Sequence, residues 1–530
     1  MKKWATLIVL AVAQFVMVLD STVMNVSIST IVKDLDTTVA GLQAAITFYT
    51  LTMAAFMLTG GKLGDIWGRL RIFKIGAVIY GLGSLITAIS PNLVTLLFGW
   101  SLVEGLGAVL VIPAIAALIA ISYKGKDRVM GYTMIGAASG IAVAIGPLIG
   151  GFMTTYLSWR YVFAAETAIM IMVLLYVGTM KSDAVKGPRT RIDIPSALLS
   201  AAGLGLFVLG ILQSKSWGWV TPKATPEING HAIAPFGISL VVYLLLTGVL
   251  LVYAFYRRQV KLTQEKRNAL LDVSMFKIKA LRAGLAVLSV QYLFTAAVFF
   301  VIPIYLQMVL GLDALQTGVR IVPLSFGIVL FSLLGSKLSS RRSSRAIIRR
   351  GQYILLVGAV LALAAVKPEL NGFVFGLTMF VIGAGLGLLV SQIGNVNMSA
   401  VPEEKSSEVG GLQGTFQNLG SSLGTALIGS VMIASLTTTF TQKIAANPNI
   451  SQGVSSTIAQ NNQAGIPIAS SAQVEAAATS AGLDTVTTSE LVDEYESAQM
   501  QSLKNSLVFL IILCVLTLPL SRGIPNKKAV

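Results

Sequence analysis

The chain has 530 residues, of which 55% are hydrophobic and only 12% charged, too little polar surface to coat a soluble globule of that size. An integral membrane protein is implied and a soluble one excluded. The net charge of +16 is a topology record rather than a nucleic-acid footprint. With the amino terminus in the cytoplasm, about 31 of the 39 Lys and Arg residues fall on cytoplasmic segments.

Windows of about 19 residues, each asked for roughly 20 apolar residues per crossing, predict fourteen helical spans. They lie near 5–32, 41–61, 72–90, 92–122, 129–156, 160–180, 193–213, 235–256, 281–310, 315–336, 350–366, 370–400, 408–436 and 503–521. The opening MKKWATLIVLAVAQ has the lysines and small residues of a signal peptide. Its apolar run continues through Leu19, however, and the later loops alternate correctly only if it is retained as span one. Cys514 is the single cysteine, so no internal disulfide forms. His231 is the single histidine, placed in an outer loop, which gives metal ligation and histidine catalysis no support.

Span one ends in LDSTVMNVSIST, with Asp20 about 22 Å along the helix at ~1.5 Å per residue. An ionised carboxylate at that depth costs a few kcal/mol. Asp20 should therefore face a watery cavity, keep its proton, or switch between charged and neutral. The last suits proton coupling and contact with a cationic cargo. The competing reading is a carboxylate quietly paired with Asn25 or a nearby hydroxyl.

Between spans two and three, GKLGDIWGRLR (61–71) has Gly64 and Gly68 for a tight reversal. Asp65 is spaced to meet Arg69 and the amino end of the next helix; a simple basic loop is the alternative. Span four carries Glu104, a second acid near the middle of the membrane. In span five, Gly136 and Gly140, then Gly146 and Gly150, form two small-xxx-small steps around Pro147.

The basic run at 257–282 is expected to be a solvated linker with a surface helix, within reach of anionic lipid heads. KLGDIWGRLRIFKIG (62–76) aligns without gaps with KLSSRRSSRAIIRRG (337–351). Such a repeat suggests two halves of six spans, with 193–256 inserted between them. Gln291 and Phe294 in span nine, and Gln413 and Gln417 in span thirteen, would suit a greasy pocket with a few polar points, or serve helix packing instead. Residues 437–502 are polar; their second half reads as a short helical hairpin or, equally, as a tolerated insertion.

Several of these strings resemble motifs of the major facilitator superfamily. GKLGDIWGRLR is similar to its G-x-L-a-D-r-x-G-r-x-x-x motif at Gly61, Leu63, Asp65, Gly68, Arg69 and Arg71. GAASGIAVAIGPLIGGF (136–152) resembles the antiporter motif g-x-x-x-G-P-x-x-G-G. LDSTVMNVSIST resembles the L-D-x-T-x-V-N-V-A-L-P signature of the fourteen-span branch at Leu19, Asp20, Thr22, Asn25 and Val26, departing at Ser27 and Ser29. Span four departs from R-x-x-Q-G-x-G-a: Gly105, Gly107 and Ala108 match, while Ser101 stands for the arginine and Glu104 for the glutamine.

The resemblance implies an all-α membrane protein with the major facilitator fold: a six-helix bundle over 1–192, two additional spans over 193–256, a cytoplasmic linker over 257–280, and a second bundle over 281–530 with a long extracellular loop at 437–502. It implies a drug:proton antiporter similar to bacterial multidrug and quaternary-ammonium efflux pumps, in the bacterial cytoplasmic membrane with both termini inside. Proton coupling would fall to Asp20, Glu104 and Asp65. Gly61, Asp65, Gly68, Arg69 and Arg71 would form a conformational latch, and Gly136, Gly140, Gly146, Pro147, Gly150 and Gly151 an export-linked hinge. Asp20, Asn25, Glu104, Gln291, Phe294, Gln413 and Gln417 are the candidate contacts for lipophilic, cationic cargo.

Expected partners are small lipophilic molecules, protons and membrane lipids, with no nucleic acid, no metal and no cofactor; a monomer is the default expectation. One alternative on the same fold is an exporter of lipids or envelope precursors. A non-transporting sensor or assembly factor is another. No nucleophile and base pair, metal cluster or phosphate loop points to an enzyme.

Overall fold

The computed structural model describes residues 2–123, 125–178, 193–223, 227–228, 231–265, 267, 269–402, 405–462 and 465–526. Fourteen helices are long and apolar enough to cross a membrane, as expected. Spans one to three are Lys2–Val26, Val39–Trp67 and Arg69–Ala88. Span four is composite: Leu93–Leu96, a π-helical stretch Leu97–Glu104, and Gly105–Ser122. Spans five to eight are Gly125–Tyr156, Arg160–Gly178, Ile194–Trp217 and Leu240–Gln264. Span nine is Lys279–Ile304 with a π-helical end, Tyr305–Val309. Spans ten to fourteen are Ala314–Leu338, Ser344–Ala365, Gly372–Met398, Ser406–Ala446 and Thr485–Thr517. The one sheet among the described residues is a two-residue hairpin, Glu227–Ile228 against His231–Ala232.

Helix ends follow local chemistry. Thr38, Asn92, Ser343 and Asn371 cap their helices through side-chain oxygens, and Asp313 with Gln316 forms a full capping box. The reversal between spans two and three is a single residue: Gly68, at φ 94°, ends one helix and starts the next. Gly64 lies inside span two, so only one of the two expected glycines turns the chain.

The three largest departures from the expected boundaries are at spans eight, thirteen and fourteen. Span eight continues to Gln264, so the first basic residues of the expected linker at 257–280 are helical. Spans thirteen and fourteen extend well into the loop expected at 437–502. At ~1.5 Å per residue, the 41 residues of span thirteen reach about twice the thickness of a bilayer's hydrocarbon core. The hairpin expected in that loop forms, with Ser471–Ser480 turning through Gly482 into span fourteen. These extensions are tied by Lys443 to Glu494 (3.3 Å) and by the Asn447 amide to Glu490 (2.9 Å) and Glu494 (3.0 Å). The boundary at 192 and the side chain of His231 lie outside the described residues.

We call the end bearing residues 437–502 the capped end and the end bearing the 61–71 loop the basic end. Span two packs along span thirteen, and span five against span ten, joining the halves. Hydrogen bonds between halves gather at the capped end and at mid-depth. Gln307 accepts from the Ser29 amide (3.0 Å) and hydroxyl (2.5 Å) and donates to the Val26 carbonyl (2.8 Å). Gln43 donates to the Thr425 carbonyl (2.8 Å), and the Leu315 amide to the Thr155 hydroxyl (3.1 Å). Toward the basic end spans five and ten part: a side chain on Gly151 would meet the Ala314 carbonyl at 2.6 Å, one on Gly140 reaches Val329 only at 3.9 Å, and one on Gly136 meets nothing within 4 Å.

The inserted pair packs at the edge of the joint between spans two and thirteen. The Ser430 hydroxyl donates to the Ile211 carbonyl (3.2 Å), and Lys215 to Gln43 (3.1 Å). Ile211 and Leu212 share an apolar cluster with Ala426, Phe48 and Leu423.

Candidate functional site

Three acids on three different spans meet inside the first bundle. One carboxylate oxygen each from Asp20 (span one), Glu104 (span four) and Glu166 (span six) lie within 4.8 Å of one another. Asp20 and Glu104 are 0% exposed and Glu166 is 1% exposed. The cluster sits about 9 Å below the capped ends of spans one and six, counting ~1.5 Å per residue.

Sequence explains the approach. Glycines at 83 and 107 let spans three and four touch backbone to backbone, since a side chain at Gly83 would strike the Glu104 amide and one at Gly107 the Tyr80 amide. Between them, the π-helical turns place Trp100 and Glu104, four residues apart, on one face. Such π segments often mark functional sites. Ser101, in the place of the family's arginine, donates its hydroxyl to the Ala45 carbonyl of span two (2.8 Å).

The cluster has a small set of partners. The Trp100 indole N–H donates to both Asp20 oxygens, at 2.8 and 3.1 Å, and Tyr49 stacks on that indole with ring centres 4.6 Å apart. Glu166 Oε2 accepts from the Tyr80 hydroxyl (3.3 Å) and, at the long limit, from Ser84 (3.5 Å). Both Glu104 oxygens and Glu166 Oε1 are buried without a hydrogen-bond partner. None of the ion pairs found among the described residues reaches the cluster. Three carboxylates so close and buried, with no Lys or Arg paired to them among the described residues, cannot all be ionised unless a bound cation offsets them; the site is built to hold protons or a cation.

A lid covers the cluster on its capped side. Arg160, the first residue of span six, pairs with Asp34 and donates to the Ser90 carbonyl (2.7 Å), while the Trp159 indole also donates to Asp34 (2.9 Å). Burial pushes the Asp34 carboxyl up, but the bonds from Arg160 and Trp159 pull harder and hold it below the ordinary carboxylate range.

The export-linked motif presses on the same helix. A side chain at Gly146 would strike the Thr22 hydroxyl, and one at Gly150 would meet Val23 at 2.9 Å, two and three residues beyond Asp20. On its other face the motif meets span ten, where Gly318 lies against the Pro147 carbonyl. Pro147 has no N–H, which leaves the Val143 carbonyl without its helical donor. Ser325 of span ten supplies one at 2.9 Å. The second glycine step is thus a contact between helices, whereas the first, Gly136 and Gly140, has no close neighbour.

Other expected residues scatter. Asp20 and Glu104 line no watery cavity in this conformation: Asp20 is enclosed by aromatic rings, which excludes direct contact with cargo here. Asn25 does not pair with Asp20; its amide donates to the Ser21 carbonyl (2.7 Å). Gln291 and Phe294 point into the second bundle, where with Gln352, Leu355 and Cys514 they line a cavity of about 20 Å³. That space holds about one water, not a drug. Gln413 accepts from Asn397 (3.4 Å), and Gln417 is partly exposed. In the 61–71 motif a side chain at Gly61 would meet Pro113 only at 3.9 Å, while its neighbour Gly60 abuts the Val109 carbonyl freed by Pro113. Arg71 is exposed, and the side chain of Asp65 lies outside the described residues. Glu166 was missed, although the signal was present: it is the sole acid in Arg160–Gly178.

A two-bundle, fourteen-span helical fold with a buried ionisable site in one bundle defines a polytopic membrane transporter, not an enzyme. The Major Facilitator Superfamily model matches residues 10–425, and the chain belongs to that family. Among its relatives, the puromycin resistance protein pur8 of Streptomyces alboniger is 28% identical, over 81% of this chain and 82% of that protein. The probable actinorhodin transporter of Streptomyces coelicolor is 25% identical, over 82% and 73%. Among solved structures, the inward-facing, unoccupied form of a bacterial homolog to the human lysosomal transporter Spinster shares the fold with a TM-score of 0.61 at 14% identity, covering 100% of this chain and 98% of that one.

Proposed function

We propose that the chain is a proton-coupled antiporter that exports lipophilic drugs or toxic compounds from the bacterial cytoplasm by alternating access. The observation that carries this reading is the sealed Asp20–Glu104–Glu166 cluster, because buried acids that must gain and lose protons are the means by which a proton gradient does work. The names of the relatives, which include resistance proteins for puromycin and for tetracenomycin C, support export as the direction.

With the basic end in the cytoplasm and both termini there, spans five and ten meet toward the outside and part toward the cytoplasm, while spans two and thirteen stay packed there, with Gly414 against Met57; the gap between spans five and ten is suited to loading cargo. Rocking would break the Gln307, Gln43 and Leu315 contacts and move span ten against span five. Span five bears on Thr22 and Val23, so that motion reaches the helix of Asp20. Opening then lets protons in from outside, and closing delivers them inside. The gradient supplies the energy, and no cofactor is needed. A cationic cargo was expected from direct contact with Asp20; since that carboxylate is enclosed, the cargo class proposed is lipophilic without restriction on charge.

Purified protein in liposomes loaded with a pH-sensitive dye tests the reading. Drug addition should evoke proton movement, and Asp20→Asn should abolish it while the variant purifies as a folded protein. Undiminished drug-driven proton flux in Asp20→Asn would refute the role given to the cluster.

A further inference from the structure

We propose that Glu104 and Glu166 each carry a proton beside an ionised Asp20, so that two protons exchange for each cargo molecule. The inference rests on the antiport reading above and names its stoichiometry.

Partners distinguish the three acids. An N–H that reaches both oxygens of a carboxyl group, as Trp100 does on Asp20 at 2.8 and 3.1 Å, stabilises the anion, which only accepts. No donor lies in hydrogen-bond geometry to either Glu104 oxygen, since the nearby Tyr80 and Ser84 hydroxyls point to Glu166, and Glu104 has no exposure. A bare buried carboxylate is far costlier than a bare neutral carboxyl, so Glu104 carries its proton. Glu166 takes two long bonds on Oε2 and none on Oε1, which leaves Oε1 to hold hydrogen.

The groups that face the cluster are Tyr49 from span two, Tyr80 and Ser84 from span three, and Trp100 from span four. No Lys or Arg side chain pairs with it among the described residues. One negative charge is then the most this enclosure sustains, and the remaining two acids are neutral. When water from the cytoplasmic side reaches the site, each –COOH can become –COO⁻ and release one H⁺ inward, and both protons are regained from the outer side once the capped end opens. Asp20 keeps its charge throughout and sets the field against which the other two titrate.

Two measurements test this. In liposomes, the membrane potential and pH gradient that just halt cargo flux give the ratio of protons to cargo: two for the native protein and one for Glu166→Gln. In infrared spectra of the membrane-embedded protein, the native chain should show two buried protonated carboxyl bands. Glu104→Gln and Glu166→Gln should each remove one, and Asp20→Asn neither. A native ratio of one, or loss of a protonated band in Asp20→Asn, overturns the proposal while leaving antiport standing. Cargo flux that moves no protons at all overturns both readings.

Discussion

The two halves of the molecule bury polar side chains in their cores, but of different kinds. The first bundle encloses Asp20, Glu104 and Glu166 among Trp100, Tyr49 and Tyr80. The second encloses Gln291 and Gln352, each with an unpartnered carbonyl oxygen, around a space of about 20 Å³. An amide is costly to bury unpaired but cannot change its charge, and a water in that space would satisfy it. A carboxyl group can change its charge. Similar scaffolds therefore have different contents: one core holds three groups that can gain or lose a proton, and the other holds neutral amides around a small cavity.

Neutralising the first core should have the largest effect. Glu104→Gln is expected to lower drug export driven by a pH gradient by roughly tenfold or more, the scale of a coupling free energy of a few kcal/mol. Proteoliposome flux checks it, and native-level flux would erase the distinction between the halves.

Next comes the joint between them. Gly151→Leu drives a side chain into the Ala314 backbone at the capped end, at a cost of about 1–3 kcal/mol. It should populate forms open at that end. Labelling of a cysteine placed beside Gln307 by a membrane-impermeant reagent should speed up; unchanged labelling means the joint yields elsewhere.

Gln291→Leu probes the second core. Removing the unpartnered oxygen should shift stability by no more than about 3 kcal/mol, seen as a change in melting temperature, and leave proton movement per cargo as it was. A changed ratio would show that the second core takes part in coupling after all.

The smallest effect is at the lid. Asp34 stays ionised to lower pH in the folded protein than a free carboxyl does, so its pairing stabilises above the ordinary carboxylate range and is lost as pH falls through the lowered value. With its side chain 42% exposed, Asp34→Asn should cost about 0–1 kcal/mol near neutral pH. The difference in melting temperature between variant and native protein should vanish in acid; a constant difference would assign the effect to packing.

Much of this was legible in the sequence. The spans were readable because a helix in lipid must satisfy its own backbone and show twenty or so apolar residues, a local property. The acids at Asp20 and Glu104 stood out for the same reason, as charges where charge is costly. Glu166 obeyed the same rule and was overlooked, so that miss lay in the reading and not in the chain. What no local rule contains is that these three acids, up to 146 residues apart in sequence, meet within 4.8 Å, or that Gln291 faces its own bundle rather than a cargo path.

Composition and periodicity thus determined that this protein spans the membrane fourteen times, where its basic loops lie, and that acids are buried within it, since each follows from transferring single segments out of water. The tertiary structure decided which acids share a site, which glycines are contacts and which are idle, and at which end the halves touch. Those depend on how helices distant in sequence pack together, and a helix written in isolation does not say which of its faces a neighbour will cover.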